Sequence, residues 1–255
     1  MIVLATVLIF GSILSFMVKE AFENNVIHHE ISLKGKKEKY TIFFISDIHT
    51  RLISDKLIQD INAPINAVII GGDLADRRTK ISTIYRNLHL LKTLGPVYFV
   101  WGNNDREVGE ERLREIFQET GVQIVENDAV LLPNTENRCW LSAVDDLSSR
   151  KAQPEKAFSK CHPEDIVIFV SHNPNLFSKL KDYHADLWLG GHFHGGQIRL
   201  GPFGIYPVGS FSAKDGKYTL ISNGYGTSMV PLRFGAKPEC HIIDLNFHSE
   251  LQTKG

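Results

Sequence analysis

Cysteine is scarce. The three residues, Cys139, Cys161 and Cys240, are odd in number and widely spaced. That excludes a disulfide framework and a cysteine zinc site, and points to a reducing compartment or indifference to redox. A surplus of one charge sign is missing too. The formal net charge of −1 offers no basic field, so no nucleic-acid partner is expected. No internal repeat and no low-complexity linker follows residue 40. The remaining shortage is local: Met1 to Val18 carries no charged residue and is dominated by Ile, Leu, Val and Phe.

As a helix, eighteen such residues span roughly 27 Å, about the hydrocarbon thickness of a bilayer. No basic residue precedes the run, and Ser15 to Val18 makes a poor cleavage site, unlike a secretory signal. The expectation is an uncleaved membrane anchor over 1–18, a linker over 19–25, and a single-pass protein of the cell membrane. Lys19, Lys34, Lys36, Lys37 and Lys39 follow the run, which favours a cytoplasmic catalytic domain.

Beyond the linker, Val26 to Leu33 alternates as a strand and Tyr40 to Ser46 reads as its hairpin mate across a lysine-rich turn. Apolar strands are then predicted at Ala67 to Ile70, Val97 to Trp101, Cys139 to Val144, Ile166 to Ser171, Leu187 to Leu189, Lys217 to Ser222 and Cys240 to Phe247. Ile81, Ile84, Leu88 and Leu91 at helical spacing mark one helix, and Leu113, Ile116 and Phe117 another. Strands alternating with helices make 26–247 a layered α/β domain, with a tail at 248–255.

What the chain has in excess is histidine, eleven in all, and several lie where strands end. Five predicted strands run into polar clusters: Asp47-Ile48-His49, Gly72-Asp73, Gly102-Asn103-Asn104-Asp105, Ser171-His172-Asn173, and Gly191-His192-Phe193-His194-Gly195. Ligands of α/β sheets bind at the carboxyl ends of strands. Asp, His and Asn without cysteine form an oxygen and nitrogen donor set for divalent metal. His192 and His194, one residue apart in an extended segment, would project to the same side.

In this order the motifs resemble the calcineurin-like metallophosphoesterases, whose pattern is Asp-x-His, Gly-Asp, Gly-Asn-His-Asp/Glu, His and Gly-His-x-His. The resemblance covers 26–247. It is nearest the bacterial membrane-associated branch that carries Gly-His-x-His-Gly-Gly-Gln, with Pro231-Leu232-Arg233-Phe234 in the matching tail. It implies a β-sandwich flanked by helices, in αββα layers.

It also implies two divalent metal ions. Asp47, His49, Asp73 and His194 would hold one; Asp73, Asn103, His172 and His192 would hold the other. A shared carboxylate offsets the repulsion of two cations about 3.5–4 Å apart. Mn²⁺, or a mixture with Fe or Zn, suits such donors. The implied reaction is hydrolysis of a phosphodiester or pyrophosphate bond by a metal-bridging hydroxide. The substrate would be lipid-linked or nucleotide-linked, of the UDP-diacylglucosamine type by analogy. The alternatives are a phosphodiesterase of soluble nucleotides and a non-catalytic metal-binding scaffold.

Asn104 and Asp105 fill the last two positions of the Gly-Asn-His-Asp/Glu motif and are the candidate catalytic residues. Asn104 is the one departure, because an amide cannot act as a proton reservoir where the family has His. Losing a general acid typically costs about 10²–10⁴ in rate for a poor leaving group. Leaving groups that need little protonation are therefore expected. His184 is a substitute acid, and Arg233 is a candidate phosphate clamp, with a structural ion pair as the rival reading. Residues 199–211, rich in aromatics, proline and glycine, read as a substrate lip, a lipid contact or a packed hairpin.

Overall fold

Apolar runs of four or five residues are too short for stable helices and, bounded by glycine and polar residues, become buried strands. In the computed structural model, which describes residues 2–214 and 216–249, the chain begins with helix α1 (Ile2–Ala21). There follow β1 (Val26–Lys34), β2 (Glu38–Ile45), α2 (Asp55–Gln59), β3 (Ala67–Gly71), α3 (Ile81–Lys92) and β4 (Val97–Val100). Next come α4 (Glu110–Thr120), β5 (Gln123–Ile124), β6 (Asp128–Leu131), β7 (Cys139–Ala143) and α5 (Pro154–Ala157). The chain closes with β8 (Ile166–Val170), β9 (Leu187–Gly190), β10 (Ser210–Lys214), β11 (Lys217–Ile221) and β12 (Cys240–His248).

Among the described residues the strands form two six-stranded sheets, ordered β1-β12-β2-β3-β4-β5 and β10-β11-β9-β8-β7-β6. Ile42, Phe44 and Ile69 of the first interleave with Leu141, Ile168 and Leu189 of the second in one buried core. The other face of the first sheet takes Ile84 and Leu88 of α3 and Leu113 and Phe117 of α4. The outer face of the second is covered around Phe158, Leu176 and Trp188. The layers are helix, sheet, sheet, helix, as the resemblance implied. Strands β2, β3, β4, β8 and β9 are covered on both faces, which is why they read as unbroken apolar runs.

The expected β1–β2 hairpin does not form. Strand β12 lies between the two, parallel to β1 from Val26 to Lys34 and antiparallel to β2. Its alternating Ile243, Leu245 and Phe247 enter the inter-sheet core, a gain no short turn supplies. Such a long-range pairing leaves no trace in local spacing.

Helix α1 also exceeds its predicted end at Val18. Lys19, Glu20 and Ala21 stay helical, and Glu20 and Ala21 are buried, so the expected linker begins with a docked helix turn. Arg233 N–H donates to Met17 O at 3.1 Å, Gly235 N–H to Glu20 Oε1 at 3.2 Å, and Phe16 meets Phe234 edge to face. Arg51 caps the helix end, donating to the carbonyls of Ala21, Phe22 and Glu23 at 3.2, 2.8 and 2.9 Å. Residues 2–16 of α1 are exposed, and the helix as a whole is long and apolar enough to cross a membrane. Of the predicted tail, His248 belongs to β12; Met1 and residues 250–255 lie outside the described residues.

Candidate metal centre

Five parallel strands end at one place. The first sheet delivers Asp47 and His49 after β2, Asp73 after β3 and Asn103 after β4; the second delivers His172 after β8 and His192 and His194 after β9. His49 Nε2 lies 3.1 Å from His194 Nε2, and His194 Nε2 lies 3.2 Å from Asp47 Oδ1. Asp73 Oδ2 stands 3.7 Å from His49 Nε2 and 3.3 Å from His172 Nε2. Asn103 Oδ1 meets His172 Nε2 at 3.2 Å and His192 Nδ1 at 2.8 Å. Two donor groups result, Asp47–His49–His194 and Asp47–Asp73–His172, all buried.

Bringing these donors together strains the backbone. Asp47, His49, Asp73, His192 and His194 all have φ between 50° and 74°, the left-handed region that non-glycine residues avoid. Strain of this kind persists only where surrounding structure over-determines it. The expectation that His192 and His194 share one side of an extended segment is corrected accordingly. The segment curls, so His192 faces Asn103 while His194 faces His49 and Asp47.

Surrounding hydrogen bonds fix His172, Asp73 and Asp47. The Gly71 carbonyl, 2.9 Å from His172 Nδ1, holds a proton there and turns Nε2 toward the cluster. Asn104 donates to Asp73 twice, from its backbone N–H at 2.8 Å and its amide at 2.7 Å. His192 N–H donates to Asp47. Asp105 does not touch the reacting side of the site, which corrects its expected catalytic role. It is fully buried and accepts from the N–H groups of Asp73, Ala75 and Gly102 at 2.9, 3.1 and 2.7 Å, bracing the β3 and β4 loops.

The donor set fits cations. Asp47 and Asp73 are buried with no lysine or arginine paired directly to them, among the described residues. Burial alone would raise Asp47, yet His194, His172 and His49 hold its carboxyl below the usual range. Asp73 behaves alike: burial opposes, but His172 and His49 hold it down to about 2. Conversely, burial opposes charge on His172, but Asp73 and Asp47 raise it well above an ordinary imidazole. The carboxylates thus demand positive charge at their centre, which two divalent ions would supply. Burial keeps His49 and His192 toward neutral, with lone pairs free.

Arg233 is not a phosphate clamp. Its guanidinium is fully buried and donates to the carbonyls of His194, Asn223, Gly224, Gly226 and Ala236. Nor does it form an ion pair among the described residues; it organises five carbonyls behind the His194 loop, and burial lowers it to about 10. His184 lines a different cleft with Phe158 and Tyr183. Two neighbours were missed. Asp76 Oδ2 sits 3.6 Å from His49 Nδ1, and Asp146 is buried after β7 with Oδ2 unpartnered among the described residues. Both follow the strand-end rule already in use: Asp76 lies three residues beyond Asp73, and Asp145-Asp146 ends a sixth strand.

Above the cluster opens a cleft of about 530 Å³. Asp73, Asn103, Asn104, His192 and His194 form its polar floor, while Phe193, Ile198, Ile205, Tyr206, Met229 and Val230 form an apolar wall.

A family model described as calcineurin-like phosphoesterase matches residues 40–196. YpbG of Bacillus subtilis is 41% identical over 235 residues, covering 90% of each chain. The phosphodiesterase YaeI of Escherichia coli is 27% identical over 86% of this chain and 87% of its own. The UDP-2,3-diacylglucosamine pyrophosphatase LpxG of Chlamydia trachomatis is 32% identical over 56% of this chain and 41% of its own. Among solved structures, a 5'-nucleotidase precursor of Thermus thermophilus superposes with a TM-score of 0.52 over 82% of this chain and 54% of that one, at 12% identity, a likeness of fold alone.

Proposed function

Because the chain belongs to the calcineurin-like phosphoesterase family, and is therefore a metal-dependent phosphoester hydrolase, we propose that it cleaves a phosphodiester or pyrophosphate bond in a lipid-linked substrate at a membrane surface. Helix α1 is the anchor, and Lys19 at its end favours a cytoplasmic domain. Two metals would be held as the resemblance implies, one by Asp47, His49, Asp73 and His194, the other by Asp73, Asn103, His172 and His192. Asp73 would be the shared ligand, as the resemblance implies: its Oδ2 lies 3.7 Å from His49 Nε2 and 3.3 Å from His172 Nε2, whereas Asp47, common to both donor groups, reaches His172 only at 4.0 Å. Mn²⁺ suits the mixed carboxylate and imidazole set, with Fe or Zn as substitutes. Bound there, the pair would supply acidification of water at neutral pH and stabilisation of charge on the phosphoryl oxygens.

The chain's own residues do the rest. Gly71 fixes the tautomer of His172, and Asn104 steadies Asp73 instead of donating a proton to the leaving group. The floor of the cleft takes the phosphate and the apolar wall the hydrocarbon.

The observation that carries the reading is that one cleft joins buried Asp73 and His194 and half-buried Asn103, Asn104 and His192 to six apolar or aromatic side chains. The relative named as a UDP-2,3-diacylglucosamine pyrophosphatase supports a substrate of that class. The test is hydrolysis by the full chain with Mn²⁺ in mixed micelles, comparing UDP-2,3-diacylglucosamine with UDP-N-acetylglucosamine and bis(p-nitrophenyl) phosphate. Preference for the acylated substrate is expected. Equal rates with and without acyl chains would favour a soluble-nucleotide phosphodiesterase. Two bound metals with no turnover of any ester would leave a scaffold.

A further inference from the structure

We propose that residues 198–208, with Met229 and Val230, form a second membrane contact: an apolar lip that enters the bilayer interface beside the base of α1 and opens the cleft onto lipid. The proposal rests on α1 being a membrane anchor. Four large side chains carry it: Leu200, Phe203, Ile205 and Met229 are 71, 77, 82 and 80% exposed. No charged residue stands between Arg199 and Lys214, or between Tyr225 and Arg233. Exposed apolar surface of this extent marks an interaction face.

The occupant follows from where the lip is attached. Phe16 and Met17 of α1 touch Phe234 and the Arg233 N–H. Phe234 in turn bridges to Ile198, and its carbonyl accepts from Arg199 N–H at 2.8 Å. Leu200 then pairs with Phe203, at 2.8 and 3.0 Å between backbone atoms. The Gln197 amide donates to the carbonyls of Ser228 and Val230, holding the second segment alongside. A continuous path of contacts therefore joins the anchor to the lip, and a helix that enters a bilayer carries this surface to the lipid headgroups.

Lipid also requires that backbone polar groups be satisfied from within. Arg199 does this for the turn. Its buried guanidinium donates to the carbonyls of Gly195, Gly201, Pro202 and Tyr206 at 2.8, 2.9, 3.0 and 3.2 Å. Pro202 and Pro207 have no N–H to leave unpaired. Side chains pointing outward are apolar while the charge is spent inward, as an interfacial loop needs and a loop in water does not.

The experiment places an added tryptophan on the full chain, its emission read as the difference from the wild type with Trp101, Trp140 and Trp188, in phosphatidylcholine vesicles whose acyl chains are brominated near the headgroup end. Phe203→Trp tests the lip and Phe10→Trp tests α1, with Leu200→Trp as a second lip reporter. A far-ultraviolet circular dichroism spectrum and melting temperature equal to wild type show that the Phe203→Trp chain is folded. Blue-shifted emission and quenching at Phe203→Trp, comparable with Phe10→Trp, is expected. Quenching at Phe10→Trp alone overturns the lip and leaves the anchor standing; quenching at neither overturns both. Blue-shifted emission at Phe203→Trp without quenching places it in a protein contact, such as a second copy of the chain, and also overturns the proposal. None of these readouts depends on which ester is hydrolysed.

Discussion

His172 holds Nε2 3.3 Å from Asp73 Oδ2 while its Nδ1 lies 2.9 Å from the Gly71 carbonyl, so one imidazole joins the end of β3 to the end of β8. The two sheets meet chemically at this pair. His172→Ala removes a donor proposed for one metal, and Asp73→Asn removes the donor proposed for both. Metal analysis after dialysis should find about one equivalent in the first variant and fewer in the second, with hydrolysis falling more than about 100-fold in each. Two full equivalents in Asp73→Asn would refute the shared-ligand assignment.

Asn104 has its amide committed to Asp73, so nothing at that position protonates a departing alkoxide. Restoring the family histidine, Asn104→His, should raise the rate on an alkyl phosphodiester by up to about 10²–10⁴ and barely change an aryl one. The opposite selectivity, a faster aryl ester and an unmoved alkyl ester, would show that leaving-group protonation is not what Asn104 forfeits.

Gly191 touches the site through what it lacks. A Cβ there would lie 2.4 Å from Asp47 Oδ2 and 2.5 Å from Ser46 Oγ, inside van der Waals contact. Gly191→Ala should push Asp47 off His194 and reduce metal affinity about 10–100-fold, in the range expected when a ligand's surroundings are disturbed. Titration with Mn²⁺ measures this, and unchanged affinity would contradict the close approach. Circular dichroism should show the sheets intact.

Away from the metals, His241 accounts for part of the acid sensitivity expected of the fold. Burial first, then neighbouring His29, lower its imidazole from 6.5 to about 3. Below pH 6.5 the unfolded chain binds a proton that the folded chain refuses, so stability present above that pH is lost progressively toward pH 3. The loss is on the order of 3–5 kcal/mol at the bottom of the window. Melting temperatures of the His241→Phe variant should fall less steeply between pH 6.5 and pH 4 than those of the wild type. Parallel slopes would assign the sensitivity elsewhere.

The seven proposed ligands were legible because each ends an apolar run, and parallel strands put such ends side by side. Period and length also revealed α3 and α4. What stayed hidden depends on partners distant in sequence. Strand β12 enters the first sheet more than 190 residues after β2 ends, and no local pattern says that it parts β1 from β2. Arg233 looked like a phosphate ligand because a guanidinium's use is set by what surrounds it, here five carbonyls and no solvent. Asp105, two residues from a proposed ligand in sequence, is turned to the loops because its carboxylate is taken up by the N–H groups of Gly102, Asp73 and Ala75. The curl at His192 and His194 was obscured by the assumption of an extended segment; the flanking glycines were the available hint.

Arg51 follows His49 by two residues and grips the last turn of α1, with its guanidinium 3.7 Å from the Tyr225 ring centre. Trimming the chain after Asn24 to obtain a lipid-free enzyme would strip four of its oxygen acceptors, on Ala21, Phe22, Glu23 and Asn24, from a cation that is 7% exposed. The cut would then injure the loop bearing Asp47 and His49, and a dead product would say nothing about whether lipid is needed for turnover. A start point near Ser15, upstream of the docked turn, keeps that grip.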